Sequence, residues 1–134
     1  MTFQPSTFLR RVLLLDAAAS GITGLQMLAG ASLLFPLLNI PVPLMRYAGL
    51  ILIPYALFVV WAGTRASLSS GTVWSIISIN ALWVAGSVLL LVSGAIAPTS
   101  LGYGFVIAQA IVVGVFAELQ YFALKRQRTM ASNA

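Results

Sequence analysis

The chain has 134 residues, 60% of them hydrophobic and 7% charged, with mean hydropathy +1.03 and a formal net charge of +5. So few polar side chains cannot coat a soluble globule of this size, and the composition is that of a membrane protein. The lack of Cys and His excludes thiol nucleophiles, disulfides, Cys-held iron–sulfur clusters, His-ligated haem and the usual zinc sites, so no metal and no cofactor is expected.

Crossing ~30 Å of hydrocarbon takes ~20 helical residues, and four apolar segments can be laid out with only short loops between them. The first predicted helix covers 12–35, follows Arg10 and Arg11, has Ser6 or Thr7 as a candidate N-cap, and ends before Pro36. The Arg pair and the small residues Ala17 to Gly21 also suit a cleaved signal peptide, but Asp16 interrupts the run and the apolar pattern continues to Phe35, so this segment is expected to be retained as a span. Pro36, Pro41 and Pro43 then bracket an apolar connection that is assigned to the headgroup region. The second helix covers 44–64 and carries Pro54, which should kink it beside Tyr55. The third covers 73–95, the fourth 101–124, and 125–134 reads as a short basic tail. Short loops make sequence neighbours antiparallel neighbours, so the expectation is an all-α, up-down-up-down, four-helix transmembrane bundle forming one domain.

Basic residues set the orientation, because Lys and Arg near span ends are retained in the cytoplasm. Arg10, Arg11, Arg65, Lys125, Arg126 and Arg128 fall on one side of this layout and Arg46 on the other, which predicts a multi-pass inner-membrane protein with both termini cytoplasmic. The same cluster accounts for the positive charge through topology and attraction to the anionic lipid bilayer, and no nucleic acid partner is expected. Tyr47 and Tyr103 near the outer boundary, and Trp61, Trp74 and Tyr121 near the inner one, read as interface anchors. Comparing the first two helices with the last two gives no internal repeat.

Asp16 and Glu118 are the only acids, and both fall inside predicted spans, where a charge costs ~2.5 to 3.5 kcal/mol at the centre and less toward an end. Counted inward along each helix they lie roughly 6 and 10 Å from the cytoplasmic ends, and Asn80 lands at a similar level. Helical spacing puts Asp16, Ser20, Thr23, Met27 and Gly30 on one stripe, Asn80, Trp83 and Ser87 on another, and Gly104, Ile107, Ile111, Gly114 and Glu118 on a third. Asp16, Ser20, Asn80 and Glu118 are therefore expected to converge as an intramembrane polar cluster. Neither acid has a base three or four residues away, so charge partners must come from elsewhere: Arg10, Arg11, Arg65 or Lys125. Gly21, Gly24 and Gly114 sit in small-residue patterns that let helices approach closely. Gln26 and Gln109 are at comparable depth in the outer half and are expected to hydrogen-bond across helices. Trp83 and Tyr55 are candidates for stacking on a bound ring, with core packing the plainer role.

Without a nucleophile and base pair, enzymatic chemistry would fall to the two acids, whose flanking residues carry no catalytic pattern. The expectation is a non-enzymatic accessory or scaffold protein working through helix packing, with a homo-oligomer or another membrane protein as partner. The alternative is a small proton- or cation-coupled transporter that uses its intramembrane carboxyls.

Overall fold

A computed structural model describes residues 2–133, with side chains described through Gln127 and at Thr129. It is all-helical apart from one short strand pair: β1 (Thr2–Phe3), α1 (Thr7–Leu38), α2 (Val42–Gly63), β2 (Leu68–Ser69), α3 (Ser70–Val92) and α4 (Ser100–Asn133). All four helices are long and apolar enough to cross a membrane. At ~1.5 Å per residue, the 32 residues of α1 and 34 of α4 exceed what ~30 Å of hydrocarbon needs, so both protrude beyond it or tilt within it.

The helix ends differ from the sequence reading, and each difference has a local cause. The Ser6 side chain accepts from the Leu9 N–H at 3.1 Å, which starts α1 at Thr7 and draws Arg10 and Arg11 into the helix. Pro36 does not stop α1. It falls in the last turn, where one lost bond is tolerated, and Asn39 closes the helix in the left-handed conformation (φ 53°), donating its N–H to the Phe35 carbonyl at 2.8 Å. Pro43 lies in the first turn of α2, a position that needs no N–H donor, so this helix also starts early. Ser69 caps α3, accepting from the Thr72 N–H at 3.1 Å. That helix stops at Val92, short of 95, because Ser93 caps it and Gly94 turns the chain at φ 75°. Residues 125–133 are not a separate tail: they contain neither Gly nor Pro, and α4 continues through them.

Two sets of cross-links gather the helix ends. At the basic end β1 pairs antiparallel with β2, Thr2 opposite Ser69 and Phe3 opposite Leu68. There Arg10 donates to the carbonyls of Gly63 (2.8 Å) and Arg65 (3.0 Å), and the Ser6 N–H donates to Gln127 Oε1. At the other end the Thr99 N–H and hydroxyl donate to the Leu38 and Leu37 carbonyls, and Asn39 donates to the Ala97 carbonyl at 2.7 Å. Gly102 is required at this second junction, since a Cβ there would lie 2.2 Å from the Leu38 carbonyl oxygen.

Helix α1 packs most extensively on α2 and α3 on α4; α1 also lies along α4, whereas α2 and α3 barely touch. Gly24 and Gly49 form the α1–α2 crossing: a Cβ on Gly49 would meet the Gly24 oxygen at 2.6 Å and the Leu28 nitrogen at 2.7 Å. Gly21 and Gly114 are looser, with ordinary van der Waals neighbours at 3.6 and 3.8 Å. Two apolar cores result. One, at the basic end, includes Leu9, Leu13, Val59, Val73, Ile76 and Leu124; the other includes Met27, Ala31, Met45, Leu52 and Val106. Outward faces carry large exposed apolar residues such as Leu33, Leu82 and Val92, the surface that lipid would cover.

Candidate functional site

Buried polar side chains from all four helices meet inside the bundle: Asp16 and Ser20 of α1, Tyr55 of α2, Asn80 of α3 and Gln120 of α4. Asp16 is fully buried and takes hydrogen bonds on both oxygens. Ser20, one turn on, donates to Oδ1 at 3.1 Å. Oδ2 is met by Tyr55 Oη at 2.8 Å, Asn80 Nδ2 at 3.0 Å and Gln120 Nε2 at 2.7 Å. The ring of partners closes on itself, because Asn80 Nδ2 also donates to Gln120 Oε1 (3.0 Å) and Tyr55 Oη lies 2.8 Å from Asn80 Oδ1. Among the described residues every buried side-chain polar atom has a partner, the condition for keeping such groups out of water.

The network differs from the sequence expectation in three ways. Asp16, Ser20 and Asn80 are brought together, but Glu118 is exposed and lines an outer groove whose other residues, such as Val84, Leu91 and Val115, are mostly apolar. The inward stripe of α4 is Val106, Ala110, Val113, Ala117, Gln120 and Leu124, all buried or half-buried. Glu118 is two residues from Gln120, about 200° around the helix. The Ile107, Ile111 and Glu118 stripe therefore faces outward, with Ile111 61% exposed. The second difference concerns charge partners. Asp16 is bonded to neutral groups, whereas Arg10 caps the α2 terminus, Arg65 lies over the Trp61 ring at 5.6 Å, and Arg11 and Lys125 are exposed; the Arg128 side chain lies outside the described residues. Third, Tyr55 is a buried member of the network, its ring packed in the basic-end core.

A second polar group lies toward the other end. Trp83 Nε1 donates to Gln109 Oε1, and Gln109 Nε2 donates to Ser87 Oγ (3.0 Å) and the Val106 carbonyl (2.8 Å). Ser87 in turn donates to the Trp83 carbonyl at 2.7 Å. Gln109 thus bridges α4 to α3, while Gln26 is exposed and does not pair with it. Trp83, Phe105 and Gln109 form a partition between two openings. One, of about 290 Å³, has Asp16, Ser20 and Thr23 in its wall and apolar residues elsewhere. The other, of about 300 Å³, separates α2 from α3 and is lined by Met45, Ile51, Leu82 and Leu90 among others. Trp83 shapes both spaces, a position compatible with stacking on a small guest as well as with packing.

Four apolar membrane-length helices held by interhelical polar bonds define a small polytopic membrane protein. No protein-family model, curated protein or solved structure matches the chain.

Proposed function

We propose that this chain is a non-enzymatic accessory or scaffold protein of the inner membrane, acting through helix association with a further copy or with another membrane protein. The observation that carries the reading is the network around Asp16: the polar groups most able to do chemistry are spent on one another, binding all four helices together. The absence of Cys and His from the sequence points the same way. The helices are placed up-down-up-down with both termini cytoplasmic. That arrangement is supported by the junctions at the two ends and by the basic residues gathered at one of them. Reporter fusions after Ser100 and after Gln127 are expected to report opposite sides of the membrane; the same side for both would refute the arrangement.

A second reading, proton- or cation-coupled transport, is favoured by the opening that reaches Asp16 and Ser20 between apolar walls. The two readings separate in proteoliposomes carrying a pH gradient and a trapped pH indicator. For a helix-association protein, wild type and Asp16→Asn dissipate the gradient equally slowly, at the rate of empty vesicles. Faster dissipation by the wild type, abolished in a folded Asp16→Asn protein, would overturn the first reading in favour of the second.

A further inference from the structure

The hydrogens in the buried network can be counted. Five close contacts link Asp16 Oδ2, Tyr55 Oη, the two polar atoms of Asn80 and the two of Gln120, and each needs one hydrogen between its heavy atoms. Asn80 Nδ2 has two hydrogens, one for Asp16 Oδ2 and one for Gln120 Oε1; Gln120 Nε2 supplies a third, to Asp16 Oδ2. Two contacts are left, Tyr55 to Asp16 and Tyr55 to Asn80 Oδ1, and the phenol has one hydrogen. Turning either amide over does not help. A turned Asn80 feeds Tyr55 but puts its oxygen against Asp16 Oδ2 and Gln120 Oε1; turning Gln120 as well merely moves one shortage onto its own contact with Asp16; turning Gln120 alone faces two NH₂ groups. An ionised Asp16 therefore leaves at least one contact without a hydrogen in every arrangement.

One further proton on Asp16 Oδ2 completes the set. As a hydroxyl, Oδ2 donates to Tyr55 Oη and accepts from Asn80 and Gln120, and Tyr55 passes its own hydrogen to Asn80 Oδ1, which matches one donor and two lone pairs on the acid oxygen. A proton on Oδ1 would serve only Ser20. Placement in the membrane agrees, since a neutral carboxyl avoids the cost of a buried charge.

We propose that Asp16 is a proton-binding site whose occupancy decides whether Tyr55 ties α2 to α3 as well as to α1. This goes beyond the helix-association reading and needs no transport. With the proton bound, Tyr55 donates to Asn80 and bridges α2 and α3, two helices with little other contact. Dissociation transfers the proton to water and leaves a carboxylate. Tyr55 then donates to Asp16, and its oxygen and Asn80 Oδ1 face each other as two acceptors at a hydrogen-bonding distance, so the α2–α3 bridge breaks beside the cleft that already separates those helices. The groups bonded to Asp16 are Ser20 from α1, Tyr55 from α2, Asn80 from α3 and Gln120 from α4, of which Tyr55 alone has a dissociable proton. Among the described residues the charged side chains are directed elsewhere: Arg10 to the Gly63 and Arg65 carbonyls, Arg65 over Trp61 and Glu118 to the outer face, while Arg11, Arg46, Lys125 and Arg126 are exposed.

The test uses the full chain in lipid nanodiscs, read by infrared spectroscopy and by spin-label distances across a pH series. A carboxylic-acid C=O band is expected in the wild type, retained in Glu118→Gln and lost in Asp16→Asn. Tyr55→Phe removes the two contacts that compete for one hydrogen, so the Asp16 acid band should weaken at the same pH. Spin labels on Ile51→Cys and Leu82→Cys, in a chain with no other Cys, face the cleft; their separation should lengthen as the acid band falls, and should not respond to pH in Asp16→Asn. An acid band absent from the wild type, or equally strong in Tyr55→Phe, overturns the hydrogen count. If Tyr55→Phe does not fold, the label pair still decides: an α2–α3 separation that stays constant while Asp16 titrates overturns the switch.

Discussion

Asn80→Leu is expected to destabilise the bundle strongly. Asn80 joins three helices to its own, bonding Asp16, Tyr55 and Gln120 through both ends of one amide. Interhelical hydrogen bonds in membranes contribute ~0.6 to 2 kcal/mol each, so losing three costs roughly 2 to 6 kcal/mol, and the leucine has no donor for the buried Gln120 oxygen. Unfolding in mixed micelles by a denaturing detergent, followed by circular dichroism, would measure the shift. A midpoint within error of wild type would mean that water or rotated side chains replace all three bonds, and the account of the network as the bundle's fastener would fail.

The second large effect is steric. Gly49→Leu should break the α1–α2 interface, because its Cβ would be placed 2.6 Å from the Gly24 oxygen and 2.7 Å from the Leu28 nitrogen, both backbone atoms that cannot rotate away. Overpacking typically costs ~1 to 3 kcal/mol when side chains can yield; here the helices themselves must separate, so the upper part of that range or more is expected. Gly104→Leu provides the control, since a Cβ there meets nothing within 4 Å. Equal melting temperatures for the two variants would show that the α1–α2 crossing tolerates a wider spacing than the structure has.

The sequence makes the four helices legible because lipid imposes a long apolar run on every span, and that signal needs no knowledge of neighbours. The polar site is only partly legible. Asp16, Ser20 and Asn80 stand out as polar residues at matching depth on inward stripes. Gln120 is hidden by Glu118, two positions away: a charge attracts attention, whereas the direction of α4 is written in its small and apolar residues, Ala110, Ala117 and Leu124. Tyr55 sits in a helix with no polar stripe, where an aromatic residue reads as packing. Gly49 is likewise silent until α1 is laid against it. The β1–β2 pair leaves no pattern at all, because two residues are too few to show an alternation.

The network around Asp16 also imposes an order on synthesis. Asp16 precedes Tyr55 by 39 positions, Asn80 by 64 and Gln120 by 104. A ribosome that delivers helices one at a time therefore commits this acid to the bilayer when Ser20, on the same helix, is the only one of its four partners yet made. The first helix enters as the most costly segment and becomes fully compensated only when the last one arrives. The nascent chain is thus held open until α4 is delivered, and the arrival of that helix, rather than the insertion of any earlier span, closes the fold.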